Sequence, residues 1–71
     1  MVENTQYRRL LRLPEVKHQV GLGRSAIYQR IKSGEFPAFI SLSNNGRAVA
    51  WDSEAINSWI ESRIKLAGGA V

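Results

Sequence analysis

Between positions 24 and 32 the chain places Arg24, Ser25, Tyr28, Gln29, Arg30 and Lys32, with no acidic residue among them. These side chains carry the groups that hydrogen-bond base edges and phosphates. Arg matches guanine O6 and N7, and Gln matches adenine N6 and N7. At helical period Ile27 and Ile31 fall on one side, while Arg24, Ser25, Tyr28, Gln29 and Lys32 fall toward the other. Ten residues at 1.5 Å rise make a rod of about 15 Å, short enough for a groove about 12 Å wide. N-terminal residues of such a rod approach bases and later ones reach phosphates. Arg24, Ser25 and Gln29 are therefore expected at bases or groove edges, Arg30 and Lys32 at phosphates, and Tyr28 at either.

The charge around this segment is polarised. Seven of the ten Lys and Arg residues lie between positions 8 and 32: Arg8, Arg9, Arg12, Lys17, Arg24, Arg30 and Lys32. Only Glu15 opposes them there, so the stretch carries +6. Everything after Ser33 sums to −1. Attraction to a polyanion follows local potential rather than net charge, so this arrangement suits a phosphate-binding face. Arg8, Arg9 and Arg12 would lie along a sugar–phosphate backbone or, equally, serve only as a solubilising lead-in.

Several elements must position these groups. Leu10, Leu11 and Leu13 alternate with Arg residues in a short extended lead-in. Pro14 suits the first turn of a helix, Glu15 favours its positive end, and Val16 and Val20 form an i, i+4 apolar pair before Gly21 ends it. Gly21-Leu22-Gly23 is the turn, and a second helix is expected from about Arg24 to Ser33, closed by Gly34. Two helices joined through a short glycine-containing turn are the signature of a helix–turn–helix. Phe36-Pro37 breaks the chain, and Asn45-Gly46 predicts a two-residue type I′ hairpin loop. That loop pairs Leu42 with Val49 and Ile40 with Trp51, putting four large apolar side chains on one face. The tip, including Asn45 and Arg47, resembles a wing able to enter a minor groove or touch the backbone. Asp52 reads as the N-cap of a third helix with an apolar stripe of Ile56, Trp59, Ile60 and Ile64.

Competing chemistries lack their requirements. His18 is the only histidine and there is no cysteine, so no metal or other cofactor site is expected. Gly21-Leu22-Gly23-Arg24-Ser25-Ala26 matches the dinucleotide-binding pattern, but no strand precedes it and no acidic residue follows at about twenty positions. No nucleophile motif surrounds any serine, so no enzyme activity is expected. Trp51 and Trp59 are the residue type of a stacking platform for single strands, yet both fall on apolar faces and read as core. With 71 residues the chain forms one domain with one small core. No secretory signal or bilayer-length apolar run is present, so the expectation is a cytoplasmic, nucleoid-associated protein without membrane contact.

Segments Leu11–Val16, Gly21–Tyr28, Ile31–Pro37, Gly46–Trp51 and Glu54–Ile60 together resemble the AlpA family of prophage-encoded regulators, across about residues 10–64. The resemblance implies a mostly α fold with a small β-hairpin, a winged helix–turn–helix akin to MerR-type and excisionase domains. It places Arg24, Ser25, Tyr28 and Lys32 in the recognition helix and Arg47 in the wing. The position before Arg24 is typically a capping Ser in such proteins; here it is Gly23, which caps almost as well but offers no hydroxyl to a phosphate. The implied role is sequence-specific binding of double-stranded DNA in transcriptional control of a prophage or mobile element. The alternatives are an excisionase that bends DNA, or an adaptor or antirepressor that binds protein. Partners implied beyond DNA are further copies of the chain, as a dimer or cooperative multimer, and integrase or RNA polymerase. The domain is expected over 10–67, between a flexible segment 1–9 and a frayed end 68–71, with Arg12 contributing phosphate affinity from the lead-in.

Overall fold

The computed structural model describes residues 8–68. The expectations for residues 1–7 and 69–71 lie outside this range. In chain order the elements are β1 (Leu10–Leu11), α1 (Leu13–Val20), α2 (Arg24–Ser33), β2 (Ile40–Ser41), β3 (Val49–Asp52) and α3 (Ser53–Gly68). Three helices thus surround a small antiparallel sheet of order β1-β3-β2, compatible with a winged helix–turn–helix.

The helix ends follow from local chemistry. Pro14 sits in the first turn of α1, where its missing N–H costs nothing. Gly21 closes α1 in the left-handed conformation at φ 73°, its N–H donating to the Lys17 carbonyl. α2 begins after Gly23, whose backbone is extended and which supplies no side-chain cap. It ends at Gly34, at φ 83°. There the Gly34 N–H donates to the Ile31 carbonyl and the Glu35 N–H to the Arg30 carbonyl, a Schellman closure.

Nearly every element contributes one side chain to a single core. Leu11 of β1, Val16 of α1, Ile27 of α2, Trp51 of β3 and Ile56 of α3 are fully buried, joined by Phe36 from the loop after α2. Burying each such side chain stabilises the fold by roughly 1.5–3 kcal/mol. No element can leave without exposing its contribution.

The leucine lead-in is a paired strand rather than a free arm. Leu10 faces Asp52 and Leu11 faces Trp51 across β1 and β3. Beyond that pair the Arg9 N–H donates to Ser53 Oγ at 2.7 Å, and the Ser53 N–H donates to the Arg9 carbonyl at 2.8 Å. The side chains follow the backbone. Arg8 grips Asp52 through two bonds, Nη2 to Oδ2 at 2.7 Å and Nε to Oδ1 at 3.2 Å, and Arg9 donates to Glu15 at 2.7 Å. The two arginines nearest the start of β1 are therefore engaged internally, because the strand carries them to carboxylates on β3 and α1.

The hairpin differs from its expected form. Ile40 pairs with Ala50 and Ser41 with Val49, one residue out of the expected register. A type I′ loop at Asn45-Gly46 requires positive φ at both residues; among the described residues only glycines have it, Gly46 at 72°. The loop is instead Asn44–Gly46, with the Gly46 N–H donating to the Ser43 carbonyl and Leu42 N–H to the Ala48 carbonyl. Asn45 holds this turn: its Oδ1 accepts from the Arg47 N–H at 3.0 Å and from Ser43 Oγ at 2.7 Å. In consequence Ile40 and Leu42 leave the Trp51 side of the sheet and are 45% and 41% exposed. The stripe on α3 also ends early: Ile56 is buried and Trp59 and Ile60 half-buried, but Ile64 is exposed, because the helix outruns the core.

Asp52 caps α3 by accepting from the Glu54 N–H at 3.0 Å while it holds Arg8. The Arg8 hydrogen bond, reinforced by the cap, lowers the Asp52 pKa below the ordinary carboxylate value. A lowered folded-state pKa contributes stability above the unfolded value, near 4, and loses it as pH falls through the folded value. Asn caps as well as Asp, so Asp52→Asn isolates the charge. Urea midpoints compared from pH 6 to pH 2 should show wild type above Asp52→Asn at pH 6, with the gap closing below about pH 4. A gap independent of pH would assign the stabilisation to something other than this ion pair.

Candidate nucleic-acid interface

The outward side of α2 is open. Arg24, Ser25, Gln29 and Lys32 are exposed, and neither the hairpin nor α3 covers them. The inward side is fixed by fully buried Ile27 and half-buried Ile31. α2 contains no acidic residue, and among the described residues Arg24, Arg30 and Lys32 make no ion pair. Both features leave the local potential positive.

The site residues expected from sequence do not all share this surface. At 3.6 residues per turn Arg30 lies on the flank of α2 away from Tyr28 and Lys32, and it is half-buried. Tyr28 is also half-buried, its ring edge-on to Trp51 at 6.4 Å and to Phe39 at 6.0 Å between centroids. Arg24 stands over the same ring, with Cζ 5.7 Å from the centroid, and the cation–π attraction holds the guanidinium on that flank. Arg47 is exposed directly after the hairpin loop, and its side chain makes no ion pair among the described residues. Asn45 is exposed, and its carbonyl oxygen is occupied within the turn. Arg12 is exposed at the N-terminal edge of α1.

The two tryptophans fix the far end of α2. Trp51 is fully buried and its indole N–H donates to the Pro37 carbonyl at 3.0 Å. Trp59 donates to the Glu35 carbonyl at 2.7 Å and packs edge-on against Phe36, with centroids 4.8 Å apart. The Trp51 ring lies in the core and the Trp59 ring packs against it.

Phe39 escaped the sequence reading. It is 40% exposed, directly before β2, and meets Tyr28 and Trp51 edge-on. The available signal was an aromatic residue beside the Phe36-Pro37 break that the hairpin's apolar pattern did not use.

The model of the prophage CP4-57 regulatory protein family, AlpA, matches residues 9–64. The chain belongs to the AlpA family. A protein of Enterobacteria phage P4 described as "Uncharacterized protein ORF88" is similar to this AlpA-family chain, at 48% identity over 56 residues. The alignment covers 79% of this chain and 61% of that relative, so the chain spans less than two thirds of the relative's length. The AlpA match takes in β1, all of α1 and α2, the hairpin and most of α3. The family is a regulatory one by its description, and among the described residues of this member no helix is long and apolar enough to cross a membrane.

Trp59→Phe keeps the ring against Phe36 but removes the donor to Glu35. Denaturant unfolding should show a loss of about 0.5–1.5 kcal/mol, the ordinary net worth of one hydrogen bond. An unchanged midpoint would mean that the Glu35–Pro37 segment is held by Phe36, Trp51 and the helix closure without this bond.

Proposed function

We propose that this AlpA-family chain is a sequence-specific double-stranded-DNA-binding regulator of a prophage or mobile element, acting in the bacterial cytoplasm without catalysis. α2 lies in the major groove and the β2–β3 wing on the adjacent groove or backbone. The observation that carries this reading is the open, acid-free outward side of α2, with Ser25, Gln29 and Lys32 exposed beside the Arg24–Tyr28 pair. Arg24, Ser25 and Gln29 address base edges, with the Tyr28 hydroxyl beside them. Lys32, Arg30, Arg12 and Arg47 address phosphates, and the Asn45 amide assists at the wing. Arg30 reaches its phosphate from the side of the helix, since it does not share the central face.

A single module of this size makes few contacts, so useful specificity requires two or more protomers on adjacent sites. Integrase or RNA polymerase is the protein that such an assembly would serve. Arg8 and Arg9 stay out of the phosphate contacts because Asp52 and Glu15 already hold them.

With about four cations engaging phosphates, the affinity of each protomer should fall with salt at a log–log slope near −3.6. Arg24→Ala should cost about 1–3 kcal/mol and relax the preference at one base position. Lys32→Ala should weaken all sequences alike and reduce the slope by about one. Binding titrations on a selected site and on scrambled duplexes, at several salt concentrations, measure all three. Binding indifferent to salt, or Arg24→Ala indistinguishable from wild type on both duplexes, would remove α2 from the interface.

A further inference from the structure

Tyr28, Phe39 and Arg24 form a continuous ledge from the start of α2 to the root of the wing. The Arg24 guanidinium stands over the Tyr28 ring, Tyr28 meets Phe39 at 6.0 Å, and Phe39 meets Trp51 at 5.8 Å with planes inclined 75°. Phe39 therefore has one side packed on the core, and its remaining surface, 40% of the residue, lies open, with the Tyr28 ring linking it to the exposed Arg24. An aromatic ring in that place has no hydrogen bond to give a phosphate. What it can recognise on a duplex is an apolar group, and the major groove presents one, the C5-methyl of thymine.

We infer that Phe39 is a specificity-determining residue that packs on a thymine methyl, within about three base steps of 3.4 Å from the base read by Arg24. The inference rests on the DNA-binding reading above and adds a base to it. The ledge explains why the contact would be well placed. Tyr28 and Trp51 fix two edges of the Phe39 ring, so little side-chain freedom remains to be lost on binding. The polar face of α2 and the apolar ledge then read different properties of neighbouring base pairs, hydrogen-bonding pattern and methyl content.

Deoxyuridine lacks only the methyl of thymidine, which makes it the probe. Each thymine in a selected binding site is replaced singly by deoxyuridine, and affinities are measured for wild type, Phe39→Ala and Arg24→Ala. One position should cost wild type about fourfold, the worth of one methyl-sized apolar group returned to water. Phe39→Ala should bind the thymine site about as weakly as wild type binds the uracil site, and should show no further loss on uracil. Arg24→Ala should keep the thymine–uracil difference. Because Phe39→Ala also uncovers part of Trp51, a second measurement uses the unmodified protein. With 5-iododeoxyuridine at that position, irradiation should cross-link Phe39, identified by peptide mass.

Equal weakening of Phe39→Ala on thymine and uracil duplexes, with no cross-link to Phe39, would overturn the inference and leave DNA binding intact. Absence of any sequence-specific binding by wild type would overturn both together.

Discussion

The position of α2 depends on two indole N–H groups. An indole buried in a core needs a partner for its N–H, and here both partners are carbonyls of the short segment leaving α2, Pro37 for Trp51 and Glu35 for Trp59. Phe36, between those carbonyls, enters the core against Trp59. One tryptophan comes from the central strand and the other from the last helix, so the exit of α2 is bound to both at once. The Schellman closure at Gly34 transmits that constraint to the helix itself. A helix anchored at its end by hydrogen bonds and along one side by Ile27 presents its other side in a fixed orientation. This rigidity fixes the direction in which the exposed side chains of a ten-residue rod point.

Charge is distributed by the same architecture. β1 delivers Arg8 and Arg9 to carboxylates, where they staple the sheet to α3 and α1. These pairs are exposed, so their contribution to stability is small and screened by salt. Their larger effect is subtraction: the basic stretch seen in the chain is divided into an internal share and an outward share. The outward share stands on α2 and around α1, and Arg47, from outside that stretch, is exposed beside the hairpin loop. The acids of α3 include Glu54 near the Arg8 pair, and none of the carboxylates lies on α2.

Much of this is legible in the amino-acid sequence. α2 spans the residues that glycine punctuation and the Ile27–Ile31 spacing indicate, and Asp52 caps α3 as its place before an apolar stripe implies. Burial of Trp51 followed from its face. Four features were not read from the chain. The pairing of Leu10-Leu11 with β3 depends on Ser53, more than forty residues away, which no local pattern encodes. Ile64 has correct helical spacing, but spacing cannot say where the core stops. Arg30 was grouped by charge with Lys32, although its angular position sets it apart. Phe39 had no periodic partner, and only the meeting of α2 with the hairpin shows what it touches.

The Asn44–Gly46 loop has a further consequence, for the route by which the chain folds. The same two strands possess a second pairing, one residue away, that would gather Ile40, Leu42, Val49 and Trp51 on one side. That pairing is favoured by collapse of apolar side chains, and the native one by the Asn45 side chain and by the need of only glycine for a left-handed backbone. A nascent hairpin therefore meets a local conflict between burial and turn geometry, the kind of frustration that roughens a folding landscape. The amide of Asn45 acts as the arbiter. Replacing it would remove both turn hydrogen bonds and with them a preference for the native register over the apolar one.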